Sequence, residues 1–197
     1  AMGLPAMPTR SLARSTMAQD NADAYRTLED PFGGDEPLAL VAPLRPDLTL
    51  LHAAAADADG NCLLTPPHSE ATFGAMAARH GVLVTAERIV GRDEIRAHAG
   101  AVRLPGRYVR AVAQAPFGGH PGGLYGAGVP GVEPYAEDPP FLVDFRRACR
   151  APADLDAWIE RWVLEPGDHD GYLRRLGDDH LSVLRARGRA AAWEAEL

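Results

Sequence analysis

Along this chain, short apolar runs alternate with stripes at helical spacing, and that order predicts an α/β domain. The first good strand signal is Leu38-Ala39-Leu40-Val41. A second run, residues 47–53, reads Asp-Leu-Thr-Leu-Leu-His-Ala between turn residues and predicts a buried strand. Behind it, Phe73, Met76 and Ala77 fall on one helical face, with Ser69 as N-cap, Glu70 in the first turn and Gly81 as the stop, so a helix is predicted over 69–80. Residues 82–86, Val-Leu-Val-Thr-Ala, follow at once as a strand. A strand-helix-strand crossover implies parallel pairing, and a further apolar run over 108–115 adds another strand.

The pattern changes in the last third. Residues 138–151, 152–164 and 168 to the end read as three helices, with Leu155, Trp158, Ile159 and Trp162 on one stripe and Tyr172, Leu173, Leu176, Leu181 and Leu184 on another. Such stripes pack inward or against a partner, while Arg174, Arg175, Arg185, Arg187 and Arg189 mark a solvated face paired with acids. Before residue 36 the chain is polar, with turn signals at Pro5, Pro8 and 30–34. The expected organisation is one domain over 1–197: an irregular segment at 1–35, an α/β core at 36–133 and a helical tail at 134–197.

Composition narrows the chemistry. A net charge of -7 without any basic run argues against nucleic acid, which needs clustered cations. All 20 cationic side chains are arginine, so Schiff-base and Walker-type lysine chemistry are excluded in this sequence. Cys62 and Cys149 stand far apart, as suits a reducing compartment, and cytoplasm is the expected location. No apolar run reaches the roughly 20 residues that span a bilayer, so no membrane is expected. Asp57 and Asp59 beside Gly60 and Asn61 make a turn and fall well short of a calcium loop, so no metal is expected.

One loop stands out for function. Phe117-Gly118-Gly119-His120-Pro121-Gly122-Gly123 follows the strand at 108–115. Paired glycines let backbone N–H groups approach a ligand, and His120 is the only titratable side chain among them. In a parallel sheet ligands gather at the carboxyl ends of the strands, which would set Asn61, Ser69, Gly118, Gly119, His120 and Pro121 on one rim.

The stretch over 104–126, with its Pro-Phe-Gly-Gly-His-Pro and later Tyr-Gly, resembles the alpha subunit of family I CoA-transferases of the glutaconate CoA-transferase type. Gly3-Leu4-Pro5-Ala6-Met7-Pro8-Thr9-Arg10, the Ala-Asp-x-x-Gly-Asn step and Glu87-Arg88-Ile89-Val90 are similar to segments of the same subunits. The resemblance starts in mid-pattern: the family's Gly-Gly-Phe signature has no counterpart here, so the N-terminal part is expected to be lacking. It implies an open, mainly parallel α/β sheet flanked by helices, CoA-transferase-like, with C-terminal helices. It also implies transfer of CoA between an acyl-CoA and a small carboxylic acid, with a coenzyme A thioester as substrate and no tightly bound cofactor. The attacking glutamate would come from a beta-type partner in a hetero-oligomer and pass through a glutamyl-CoA intermediate.

Within this chain Glu70 follows a serine, as the family's nucleophile does, but Ala71-Thr72 come next. A glutamate behind an N-cap serves the helix dipole, worth roughly 0.3 to 1 kcal/mol. Glu87 is expected in a structural salt bridge, and His120 to position the acyl carboxylate or carbonyl. Two alternatives stand beside the transferase: an acyl-CoA hydrolase of the ring-opening type on the same fold, and a non-catalytic scaffold that completes a partner.

Overall fold

The computed structural model describes residues 4–10, 15–65, 71–125, 129 and 131–195. Ser69 and Glu70 lie outside the described residues, so their expected roles stay where the sequence leaves them. The segment expected to be irregular carries elements of its own: strand β1 (Met7–Thr9), helix α1 (Thr16–Asp20) and strand β2 (Tyr25–Leu28). Strand β3 (Leu38–Val41) pairs antiparallel with both, giving a small sheet in the order β1-β3-β2. Neither β1 nor β2 has an apolar run, and both borrow their order from β3, which is why their own residues announce nothing.

The larger sheet begins with β4 (Thr49–Ala56), which runs past its apolar signal because the alanines continue it. At its carboxyl end the chain turns back. Asp57, 1 % exposed, accepts backbone N–H bonds from Asp59 and Asn61 through Oδ1 and the Asn61 side-chain amide through Oδ2, while Gly60 takes φ +83°. A positive φ costs a side-chain-bearing residue and not glycine, so the turn forms here as the sequence predicts. It returns the chain as β5 (Cys62–Leu63), antiparallel to β4.

Helix α2 (Ala71–Ala77) leads to Gly81 and β6 (Val82–Ile89), which pairs parallel with β4 from Thr49↔Val82 to Ala56↔Ile89. Helix α3 (Arg92–Ala97) and strands β7 (Val102–Leu104) and β8 (Val109–Gln114) complete the order β7-β5-β4-β6-β8. The sheet is therefore mixed: β4, β6 and β8 are parallel, whereas β5 lies antiparallel to both of its neighbours.

Alternation along the strands builds two apolar layers. Leu51 and Ala53 of β4 and Val82, Val84 and Ala86 of β6 share one face with Ala75 of α2 and Leu104. The opposite layer joins Ala54, Ala55, Leu63 and Ile95 to Phe117, Leu124, Tyr135, Leu181 and Leu184. That second face is covered only at the carboxyl half of the strands. Nearer their amino ends Leu50 is 77 % exposed and Leu83 37 % exposed.

The tail consists of α4 (Pro139–Ala148), α5 (Pro152–Ile159) running into a π turn at Glu160–Leu164, α6 (His169–Leu176) and α7 (Asp178–Ala195). The stretch expected as one helix from residue 168 breaks at Gly177, which takes φ +86°. The arginine face behaves as expected, with Arg175 on Glu165 at 2.7 Å and Arg185 on Glu133 at 3.3 Å. Among the described residues no helix is long and apolar enough to cross a membrane.

Helix α7 is locked to the segment ahead of α4. Ala136 N–H donates to Leu184 C=O at 2.9 Å, and a Cβ on Gly188 would sit 2.5 to 2.7 Å from the backbone of Tyr135. Gly188→Ala raises helix propensity by about 1 kcal/mol, but the collision is with main chain, which cannot swing aside. We predict a net loss of about 1 to 3 kcal/mol, read as a lower urea midpoint with an unchanged slope.

Candidate functional site

The glycine-rich loop leaves β8 at the carboxyl end of the parallel strands and is fastened by one carboxylate. Glu87, on β6, is 9 % exposed. Its Oε1 accepts from His52 Nε2 at 2.8 Å and from the Tyr135 hydroxyl at 2.9 Å, and its Oε2 accepts from the backbone N–H of Phe117 at 2.9 Å. Four segments therefore meet at a single side chain. The tautomer follows from the partners: with Nε2–H given to Glu87, His52 Nδ1 accepts from Thr85 Oγ1 at 2.9 Å. Tyr135 in turn accepts from Gly119 N–H at 2.9 Å, and burial followed by the Glu87 charge pushes its hydroxyl pKa up.

The glycines are needed for this approach. A Cβ on Gly118 would stand 2.7 Å from the His52 ring, and one on Gly119 would stand 2.7 Å from the Tyr135 hydroxyl. Phe117 holds φ 58°, unusual outside glycine, with its ring buried 4.6 Å from that of Tyr135 and Arg185 stacked at 4.7 Å.

The backbone donors expected to face a ligand are spent inside the chain. Gly118 N–H donates to Ala115 C=O, Gly119 N–H to Tyr135 and His120 N–H to Phe117 C=O. Nor does His120 face outward. Its side chain is 0 % exposed, its Nε2 lies 3.1 Å from Asp138 Oδ2, and its Nδ1 lies 2.6 Å from the Tyr172 hydroxyl. A ring expected to meet substrate is instead clamped between the loop and the helical tail, because Asp138 and Tyr172 offer it partners that solvent-facing glycines do not. Burial holds its pKa below the ordinary histidine range, against the opposing pull of Asp138. Asp138 is itself raised by burial and lowered by more through bonds from His180, His120 and the Phe141 N–H, so it stays below the usual carboxylate range. Burial, then the Asp138 charge, pushes Tyr172 up to about 12.

What remains open beside the loop is a groove of about 570 Å³ over the bare part of the sheet, lined among others by His52, Thr85, Ala113 and Gly118. Of the expected site residues, Gly118 lines this groove, while Gly119 and His120 lie behind it. Pro121 follows a cis peptide bond and its C=O accepts from Asp138 N–H. Asn61 belongs to the Asp57 turn and does not line this groove; it borders a separate hollow with Asp57, Asp59 and Arg92, its Oδ1 accepting from Gly106 N–H at 3.0 Å. Sequence reasoning found Glu87 as a structural acid and missed His52, Tyr135, Asp138, Tyr172 and His180. A histidine inside a buried-strand signal, directly ahead of an alanine run, was the one available hint.

No family model matches the chain. It is 30 % identical to the A subunit of glutaconate CoA-transferase from Acidaminococcus fermentans, over 94 % of this chain and 60 % of that protein. It is also 30 % identical to the A subunit of 3-oxoadipate CoA-transferase from Pseudomonas knackmussii, over 90 % and 59 %. In sequence the chain is similar to CoA-transferase A subunits. Its fold agrees: the crystal structure of the Acidaminococcus fermentans glutaconate coenzyme A-transferase superposes with a TM-score of 0.80 at 28 % identity, covering 93 % of this chain and 60 % of that one. The decarboxylase AibA/AibB, solved as a cysteine-to-serine variant, follows with a TM-score of 0.55 at 30 % identity, covering 80 % and 55 %. The chain thus spans about 60 % of the length of the curated A subunits it matches.

For Glu87→Gln we predict a loss of about 1 to 3 kcal/mol, because an amide nitrogen placed among three donors leaves at least one of them without an acceptor in a buried site. Urea unfolding checks this, and Tyr135→Phe should cost less: it removes two bonds, but Glu87 keeps its bonds from His52 and Phe117 N–H and only the Gly119 N–H is left without an acceptor.

Proposed function

We propose that this chain is the A-type part of a CoA-transferase that moves CoA between an acyl-CoA and a carboxylic acid, working with a B-type subunit that supplies the attacking glutamate. The observation that carries the reading is sequence similarity to two A subunits joined to the Glu87 network, which holds the glycine-rich loop at the carboxyl ends of the parallel strands.

An attacking carboxylate needs a free lone pair aimed at the thioester carbon. Glu87 accepts three hydrogen bonds from donors inside the chain, and Asp138 accepts three as well, so both carboxylates are held in place by the fold and not turned toward a thioester. A nucleophile from another polypeptide suits a chain whose own loop-side acids are committed to holding the loop. In this scheme the partner's carboxylate attacks the thioester and expels CoA thiolate, and the thiolate attacks the glutamyl carbonyl of the resulting anhydride and releases the donor acid. The acceptor carboxylate then takes up CoA from the glutamyl-CoA by the reverse sequence, which frees the glutamate. This chain's contribution is positional. Gly118 gives the acyl group its closest approach beside His52, and His120 acts by pinning the loop to the tail, not by touching the acyl group.

A second reading has a specific support, the 30 % identity to a decarboxylase. It keeps the fold and ends in loss of carbon dioxide. Hydrolysis, and a scaffold without acyl-CoA binding, are separated by the same assay. The chain is co-expressed with a B-type subunit and given acyl-CoA with and without an acceptor acid. Transfer predicts new acyl-CoA only when acid is present. Thioester loss without acid indicates hydrolysis, carbon dioxide release indicates decarboxylation, and no turnover with no acyl-CoA binding leaves a scaffold. Gly118→Ala should lower kcat/KM in the active complex by about tenfold or more, the equivalent of about 1.4 kcal/mol of lost positioning, and an unchanged value removes the loop from the site.

A further inference from the structure

Behind the loop, three side chains from three parts of the chain aim their donor atoms at one point. His120 comes from the loop after β8, Asp138 caps α4 and His180 lies in the first turn of α7. Among the described residues they form the one group of three histidine, cysteine or acidic side chains whose donor atoms all lie within 4.8 Å of one another. His120 Nε2 stands 3.1 Å, and His180 Nε2 2.6 Å, from the same oxygen, Asp138 Oδ2.

From this convergence we infer that His120, Asp138 and His180 form a binding site for a divalent transition-metal ion of the zinc class, a clip between the glycine-rich loop and the helical tail. The donor set is two imidazoles and one carboxylate, which suits zinc or cobalt(II) and is poor for calcium or magnesium. Ligands bonded at about 2.0 to 2.2 Å stand about 2.8 to 3.1 Å apart across an octahedral edge and about 3.3 to 3.6 Å apart across a tetrahedral one. The His120 edge already meets the octahedral spacing, and the His180 edge needs a small outward swing, open to a side chain that is 40 % exposed.

The surroundings are those that metal ligands require. Tyr172 sits 2.6 Å from His120 Nδ1 and can accept the proton that nitrogen carries when Nε2 binds metal. Asp138 Oδ1 is held separately by Phe141 N–H at 3.2 Å, which leaves Oδ2 as a single-oxygen ligand. Phe141 closes one side with its ring 4.8 Å from that of His120, and His180 gives the way in from solvent. Three protein ligands leave at least one position for water. Because residues 120, 138 and 180 share no local spacing, the sequence carries no motif for the site, and only the fold assembles it.

The test uses the full chain, stripped with chelator and titrated with cobalt(II) chloride under visible absorption and with zinc chloride in a calorimeter. The expected result is saturable binding of one equivalent with a d–d spectrum of nitrogen and oxygen ligation. His180→Ala, whose fold is verified by circular dichroism, should weaken binding by at least about tenfold, while His80→Ala, an exposed histidine elsewhere, should leave it unchanged. Absence of saturable binding overturns the site and leaves a hydrogen-bonded triad. Full affinity and an unchanged spectrum in His180→Ala overturn it equally. Neither outcome bears on CoA transfer, which the co-expression assay reads by itself.

Discussion

A buried carboxylate that accepts from a strand histidine, a distant tyrosine and a loop amide is the point on which this architecture turns. Remove the acceptor and three donors lose their partner at once, in a site largely shielded from water. Glu87 is therefore a constraint as well as a contribution to stability. Hydrogen bonds to a charged group contribute a net of about 1.5 to 3 kcal/mol each, and buried donors left without their acceptor are costly in their own right. The result is specificity: one position of the loop satisfies all three donors, and displaced positions leave some of them bare.

Loop and tail form a second layer of the same logic. Tyr135 belongs to both, giving its hydroxyl to Glu87 while its backbone receives α7 at the side-chain-free surface of Gly188. On the other side His120 joins Asp138, which is at once the N-cap of α4 and a partner of His180. The aromatic stripe foreseen in the tail closes over this junction, with Phe141 4.9 Å from Trp162 and Trp162 6.3 Å from Tyr172. Geometry at the groove is thus set by helices that lie well further along the chain.

How much of this could be read in advance differs by kind of signal. The parallel pairing of β4 with β6 was legible because an apolar run, a helical stripe and a β-branched run follow one another in order. Asp57 and Gly60 announced their turn. By contrast β5 is two residues long and β1 and β2 are polar, so tertiary pairing alone creates them. The break at Gly177 lay inside a continuous stripe and left the apolar period intact, which hid it. At the site, the glycines were legible as close-approach positions, but what approaches Gly118 is the chain's own His52 ring. The orientation of His120 depended on Asp138 and Tyr172, at separations where no periodicity reports contact.

The half-covered face of the larger sheet has a consequence of its own. Leu50 and Leu83 present aliphatic surface to water at a cost of about 25 cal/mol for each Å² left wet, and no charged side chain of β4 stands among them to discourage contact. An isolated copy therefore gains free energy from anything that dries that patch, so its behaviour in solution depends on concentration and company as much as on its own fold.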